Sequence, residues 1–326
     1  MPQLTMAKAL NAGLAKAMEA DDKVVMLGQD IGRLGGVFRV TEGLQERFGE
    51  RRVMDSPLAE AGIVGTAIGM AQRGYTCVCE VQFDGFVFPA FDQIINQAAR
   101  LRFRSQGQVT APIVIRLPYG GNVGSIEHHG ESPEAHFTPQ PGLRLVTPST
   151  PADAYTMIQQ AVTCPDPVIV LEPKRLYHSA RGEVDLDAAP TRTLDEAVVA
   201  RAGAEVTLIG YGPMVPTLLA AAKVLVDEGR SAEVVDLRSL APIDWETLER
   251  SARKTGRVVV AHEAPKTSGL GAEIAARLQE RCFYALEAPV MRVTGLDMPY
   301  PPSRVEEDYV PGVDRILEAV DRSFGF

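Results

Sequence analysis

The sequence predicts an α/β fold of two domains with mainly parallel sheets, and three observations lead there. Short β-rich apolar runs alternate with longer helical stretches along the whole chain, which is the pattern of a parallel sheet with crossover helices. At 326 residues the chain exceeds the usual size of a single hydrophobic core. Finally, one polar, proline-containing stretch without a clear period separates two such series.

In the first series Thr5 can cap a helix through Leu10, Leu14 and Met18, followed by a strand at Val24–Leu27. A strand-like run at Val53–Asp55 leads into Ser56-Pro57. Serine at the cap and proline at the first helical position predict a helix there, running through Ile63, Ile68 and Met70 to about Gly74. Cys77–Val81 reads as a strand and Pro89–Arg104 as a helix. Strands at Ile113–Leu117 and Val168–Leu171 bracket a further helix near Ala152–Val162. The polar text between Ser179 and Thr193 marks the division, so the domains are placed at 1–185 and 201–326 with a linker at 186–200. The second series predicts strands at Val206–Ile209, Ala232–Leu237, Arg257–Ala261 and Val290–Val293. Helices are predicted at Pro216–Asp227, Trp245–Ser251, Gly271–Glu280 and Val313–Ser323.

The net charge of −9 argues against nucleic acid as a partner, because phosphate binding needs a concentrated basic surface. An acidic surface instead favours a basic protein partner through steering. No apolar run approaches the roughly 20 residues of a membrane span, and the first twenty residues, with Lys8, Lys16 and Glu19, read as neither signal peptide nor anchor. Four cysteines in a chain of this length make no disulfide framework. Cys77 and Cys79 share one face of a strand and read as buried reduced thiols rather than a metal pair. The expected location is cytoplasmic.

Three segments carry candidate chemistry. Glu60 lies early in the helix after Ser56-Pro57, where the helix dipole alone would favour a carboxylate. Gly62, Gly65 and Gly69 on the same helix are costly for its stability and suggest close packing against another element or subunit. In Glu80-Val-Gln82-Phe-Asp-Gly-Phe86-Val-Phe88-Pro, aromatics follow a strand at its carboxyl end, where α/β sheets bind ligands. A flat ring could stack there while Gln82 or Glu60 bonds its edge. Three of the five histidines fall in Glu127-His128-His129-Gly-Glu-Ser-Pro-Glu-Ala-His136. That spacing lacks a zinc pattern, and an acid–base histidine on a loop fits better. His178 and His262 read as structural or interface residues, and Arg100, Arg102 and Arg104 as a solvated or interface face.

Taken together these segments resemble the β subunit of the thiamine-diphosphate-dependent 2-oxo acid dehydrogenase decarboxylase component, over almost the entire chain. The resemblance rests on Gly35-Gly-Val-Phe-Arg-Val-Thr-Glu-Gly-Leu, the Glu60 helix, Glu80-Val-Gln-Phe and Phe88-Pro-Ala-Phe-Asp-Gln-Ile. Ser132-Pro-Glu-Ala, Pro148-Ser-Thr-Pro, Leu171-Glu-Pro-Lys-Arg-Leu-Tyr and Asp297-Met-Pro-Tyr-Pro add to it. His262-Glu-Ala-Pro-Lys-Thr and Leu286-Glu-Ala-Pro are more similar to the branched-chain members than to the pyruvate members.

The resemblance implies a pyrimidine-binding domain followed by a transketolase-type C-terminal domain, assembled with a separate α subunit as a heterotetramer of two α and two β chains. It implies thiamine diphosphate at an α–β interface. Magnesium would be bound by the α subunit, since no Gly-Asp-Gly followed by paired asparagines occurs here. Glu60 would hydrogen-bond the aminopyrimidine ring nitrogen and activate the coenzyme, a task for an acid rather than an amide. Phe86 would stack on the pyrimidine, with Gln29, Gln82 and the Leu58–Ala59 backbone around it. His129 would move a proton while the acyl group passes to the lipoyl arm of the acyltransferase core. Phe86, Val87, Phe88 and Pro89 would line the wall for an aliphatic substrate tail. By analogy, main-chain carbonyls near Ala161, Cys164 and Asp166 would hold a monovalent cation, potassium.

Two departures stand out. Gly28-Gln29-Asp30 replaces the family's Gly-Glu-Asp, and His129-Gly130-Glu131 replaces His-Ser-Gln. The expected activity is oxidative decarboxylation of a branched-chain 2-oxo acid. Pyruvate or acetoin dehydrogenase β subunits, a non-catalytic assembly subunit and a remnant of transketolase or deoxyxylulose-phosphate synthase chemistry are the rivals.

Overall fold

Strands buried on both faces demand near-continuous apolar text, and the runs around Ile113 and Val168 supply it. In the computed structural model, which describes every residue except Ile126, those runs are the centre of a parallel sheet. By internal contacts the chain forms two units. The first comprises Met1–Tyr119 with His136–Leu194, and the second Gly120–Ala135 with Asp195–Phe326. Segment 120–135, which the sequence reading kept within the first domain, thus groups with the second.

The first unit contains β1 (Val24–Gly28), β2 (Val53–Asp55), β3 (Thr76–Glu80), β4 (Ile113–Tyr119), β5 (Arg144–Val146) and β6 (Val168–Pro173). They lie in the order β5-β6-β4-β3-β1-β2, all parallel. Every residue of β4 and of β6 is buried. Helix α1 (Met6–Ala20) starts as predicted, with the Thr5 hydroxyl accepting the Lys8 N–H at 3.3 Å. It buries Leu10, Leu14 and Met18 against α3 (Pro151–Thr163), which Thr150 caps through the Asp153 N–H.

Two predicted helix boundaries need correction. Ser56-Pro57 does not open a helix: the Ser56 N–H continues the sheet by donating to Gly28 O at 2.9 Å, and no helical turn forms before Glu60. Helix α2 therefore runs from Glu60 to Ala71, which makes Glu60 its first residue. The single helix expected over Pro89–Arg104 is instead a 3₁₀ turn (Asp84–Ala90), a π-helical stretch (Gln93–Ala98) and one α turn (Leu101–Arg104). An extra residue in the ladder, seen in the Ala99 N–H bonding Ile94 O, widens the helix there.

In the second unit β7 (Val198–Arg201), β8 (Val206–Gly210), β9 (Ala232–Asp236), β10 (Val258–Pro265) and β11 (Met291–Gly295) lie in the order β11-β10-β8-β9-β7. Only β7 is antiparallel to its neighbour. It begins inside the stretch assigned to the linker, because its register with β9 gives the edge of that sheet a partner. Helices α4 (Met214–Asp227), α5 (Trp245–Thr255), α6 (Leu270–Cys282) and α7 (Val313–Phe324) flank this sheet. Among the described residues no helix is long and apolar enough to cross a membrane. Cys77 and Cys79 are fully buried and unbridged, and burial pushes the Cys77 thiol up to about 12.

The carboxyl end of the first sheet holds charges with almost no access to water. Arg116 on β4 donates through Nε to Glu172 Oε1 and through Nη2 to Oε2, both at 2.7 Å, and it also pairs with Glu80 at the end of β3. Tyr177 donates to the same Glu172. Burial works against the guanidinium charge, but the two carboxylates hold it protonated. For Glu80 burial wins and raises its pKa. Removing one member of such a group strands the others. Arg116→Met should therefore cost roughly 3–5 kcal/mol, read as a lower urea midpoint of the circular-dichroism transition. An unchanged midpoint would refute the structural weight given to this network.

Candidate active site

In the first sheet β1 is followed by β2 on one side, and β3 returns to its other side. The switch point therefore lies between the carboxyl ends of β1 and β3, where an open α/β sheet leaves a crevice. Register places Gly28 opposite both Asp55 and Glu80, so the residues that follow these strands share one edge. Gln29 and Asp30 leave β1, Ser56–Glu60 leave β2, and Val81–Gln82 leave β3. Gln82 Nε2 donates to Asp30 Oδ2 at 3.3 Å across the crevice. Gln29 Oε1 is buried and has no partner among the described residues.

Glu60 is 5% exposed although it carries a carboxyl, and as the first residue of α2 it sits where free backbone N–H groups favour an anion. Leu58 and Ala59 just before it are exposed. Helix α2 packs on the Asp84–Ala90 turn, which carries Phe86. Phe86 meets Phe83 edge-on at 5.9 Å, and Phe83 in turn meets Phe38 at 5.5 Å. The turn is anchored by a fully buried ion pair between Asp84 and Lys174, whose ammonium also lies over the Phe83 ring. Val87 is fully buried, whereas Phe88 and Pro89 are exposed, Phe88 with His136 edge-on at 5.3 Å. Of the predicted residues, Gln29, Leu58, Ala59, Glu60, Gln82 and Phe86 thus belong to one edge of the first unit.

Sequence reasoning gave no role to Asp84, Lys174, Arg116, Glu80 or Glu172. The usable signal was charge within strand-end motifs, in Glu80-Val-Gln-Phe-Asp84 and Leu171-Glu172-Pro-Lys174. Buried charges need partners, and these are one another's partners.

Among the described residues no element packs closely over the exposed Gly62, Gly65 and Gly69 of α2. A Cβ on Gly69 would meet nothing within 4 Å. For the cation suggested near Ala161, Cys164 and Asp166, the Ala161 carbonyl already accepts the Cys164 N–H, and the Asp166 carboxylate accepts Arg102 Nε at 2.6 Å. One lone pair of that carbonyl remains. Among the described residues no group of His, Cys, Asp and Glu converges as a metal set.

The second unit has its own switch point, between β8 and β10, and its chain supplies the occupant. Tyr211 after β8 stacks on His262 of β10 at 6.3 Å, and its hydroxyl donates to Glu134 at 2.6 Å. Glu263 accepts the Gly121 N–H at 2.9 Å. Segment 120–135 thereby closes over the carboxyl end of this sheet, with Gly120 N–H bonding Glu131 O across the base of a loop. His129 is on that loop, half-buried, with Nδ1 3.0 Å from Glu127 O. His262 is fully buried, bonded to Ala264 O, and burial lowers it to about 4, so it is neutral.

Residues 2–179 match the transketolase pyrimidine-binding domain and residues 195–316 the transketolase C-terminal domain. The chain is 56% identical to the pyruvate dehydrogenase E1 component subunit beta of Leifsonia xyli, over 99% of this chain and 95% of the relative. It is 49% identical to the 3-methyl-2-oxobutanoate dehydrogenase subunit beta of Mycobacterium tuberculosis, covering 98% and 91%. It is 46% identical to the 2-oxoisovalerate dehydrogenase subunit beta of Pseudomonas aeruginosa, covering 98% and 94%. Among solved structures, a split-gene transketolase in an inactive β4 tetramer shares the fold, with a TM-score of 0.78 at 24% identity over 98% of both chains.

Burial raises the Glu134 carboxyl to about 7, the Tyr211 hydrogen bond opposing and Glu263 adding to the shift. The folded chain keeps this proton to higher pH than the unfolded chain. The stability it contributes is full below about 4.5 and is lost as pH rises through about 7. Glu134→Gln has no such dependence. Its melting temperature relative to the parent should rise between pH 5 and pH 8, and a difference independent of pH would count against the buried proton.

Proposed function

This chain belongs to the family of 2-oxo acid dehydrogenase β subunits, and we propose that it supplies the pyrimidine-side half of a thiamine diphosphate site for branched-chain 2-oxo acids. The observation that carries this reading is the crevice at the β1–β3 switch point. It combines a buried carboxyl at a helix start, Glu60, with a buried amide acceptor that lacks a donor, Gln29 Oε1. An aminopyrimidine offers both complements: a ring nitrogen for a carboxyl proton and an amino group for an acceptor.

Bound there, thiamine diphosphate supplies the electron sink for decarboxylation. Glu60 holds a proton at the ring nitrogen, and Gln29 Oε1 accepts from the amino group. Phe86, set by Phe83 and the Asp84–Lys174 pair, offers its face for stacking. Gln29 performs its part without a charge, so the departure from the family's glutamate changes strength rather than function. Phe88 and Pro89 stand where an aliphatic tail would pass, with Val87 behind them. His129 exchanges a proton as the acyl group moves to a lipoyl arm.

The diphosphate and magnesium half comes from an α subunit, and the bare glycine face of α2 gives such a partner room for close backbone approach. The assembly is two α and two β chains docked on an acyltransferase core in the cytoplasm, with potassium at the 161–166 turn. Pyruvate is the second substrate reading, favoured by the 56% identity to the Leifsonia relative.

Alone, the chain should not decarboxylate 2-oxo acids. With an α subunit, thiamine diphosphate and magnesium it should, with a higher kcat/KM for 3-methyl-2-oxobutanoate than for pyruvate. The reverse preference selects the pyruvate reading, and no turnover with any α subunit removes both. In the active assembly Glu60→Gln should lower turnover by on the order of a hundredfold or more. A near-normal rate would end the role given to Glu60.

A further inference from the structure

The loop that carries His129 is held by a carboxylate distant in sequence. Asn122 N–H at 2.5 Å and Val123 N–H at 3.2 Å both donate to Glu306 Oε1, and Gly124 N–H donates to Oε2 at 3.0 Å. Three successive amides converge on one anion because the backbone takes positive φ at Asn122 (60°) and Gly124 (70°), which curls it into a concave nest. Glu306 is 3% exposed, so this is a buried charge whose desolvation is offset by charge-assisted bonds. With Glu263 on the Gly121 N–H, four consecutive amides of the loop end on carboxylates of the second unit.

Tyr300 completes the clamp. Its hydroxyl donates to Glu306 Oε1 and accepts the Asn122 N–H at 2.9 Å. Burial, and next the bond to Glu306, raises the phenol well above its ordinary value, so it remains a donor. The ring lies against both ends of the loop: a Cβ on either Gly121 or Gly130 would fall on it. Gly130 directly follows His129, and its lack of a side chain is what admits the ring.

We propose that Glu306 and Tyr300 are positioning residues that set the His129 loop for acyl transfer, making the C-terminal part of the chain the determinant of where that imidazole stands. The proposal rests on the transfer role given to His129 above. Neither residue touches the reacting atoms. They act through the backbone of residues 121–124 and the stem at Gly130. A carboxylate is required because only an acceptor with two oxygens can take three N–H groups and a phenol. Glu306→Gln would turn an amide NH2 group, itself a donor, toward those N–H groups.

The test uses the assembled α–β enzyme carrying Glu306→Gln, Tyr300→Phe or His129→Ala. Each is assayed for decarboxylation with an artificial electron acceptor and for acyl transfer to a lipoyl domain. Amide hydrogen exchange of Gly121–Gly124 and the melting temperature are read alongside. Glu306→Gln should speed exchange at those amides and reduce transfer by on the order of tenfold to a hundredfold, with little loss of decarboxylation. Tyr300→Phe should do the same more weakly, because it keeps the ring and loses only the hydroxyl. Equal losses in both assays, or unchanged exchange in Glu306→Gln, would overturn the proposal. If His129→Ala leaves transfer intact while exchange still rises in Glu306→Gln, the clamp stands and the role of His129 falls. If Glu306→Gln fails to assemble, Tyr300→Phe decides by the same two readings.

Discussion

The carboxyl edge of the first sheet depends on buried charges finding partners. Arg116, Glu80 and Glu172 share one cluster, and Asp84 with Lys174 forms another close in sequence to it. A lone buried ion costs several kcal/mol even after relaxation, so each group restricts where the others can be. The strand ends and the turn that follows β3 are set by that requirement. Phe86 inherits its position through Phe83, which is packed between Phe38, Phe86 and the Lys174 ammonium. The placement of the Phe86 ring therefore traces back to an electrostatic constraint beneath it.

Both units use the switch point of a parallel sheet, to opposite ends. In the first, the crevice between β1 and β3 keeps an acceptor without a donor at Gln29 and a buried acid at Glu60. In the second, the crevice between β8 and β10 is closed by the chain's own segment 120–135, through Glu134–Tyr211 and Gly121–Glu263. The same topology leaves an open crevice in one case and a mount for a loop of the chain in the other. Polar groups at the strand ends make the difference. Carboxylates that accept backbone N–H groups capture a loop, whereas the Gln29 amide oxygen has no donor among the described residues.

Helix α2 shows how one element can serve two purposes. Its buried side carries Ile63, Val64, Ala67 and Ile68, while Gly62, Gly65 and Gly69 leave the other side bare. Each glycine costs a helix about 1 kcal/mol relative to alanine, and among the described residues nothing lies within 4 Å of a Cβ at Gly69 to recover that cost. A backbone able to approach closely is the compensation such a helix offers a partner chain, and Glu60 heads the same helix.

Periodicity and end signals alone determined most of the elements. Thr5 caps its helix as read, and the apolar runs at Val24, Ile113, Val168, Val206 and Val258 became parallel strands, because burial on both faces leaves a mark that needs no tertiary knowledge. The motifs around Glu60, Phe86 and His129 were likewise legible as candidate chemistry. Where Glu60 begins its helix was not: the Ser56 N–H followed Gly28 O into the sheet, a choice made by a strand 28 residues earlier. The broken course of Pro89–Arg104 was hidden for a similar reason, since a single extra residue in a hydrogen-bond ladder leaves composition unchanged. Segment 120–135 reads locally as a glycine-rich loop, and only the fold brings Glu263, Tyr300 and Glu306 to its amides across more than a hundred residues. Local text records what a residue can do; which buried charge meets which donor is decided only when distant segments are brought together.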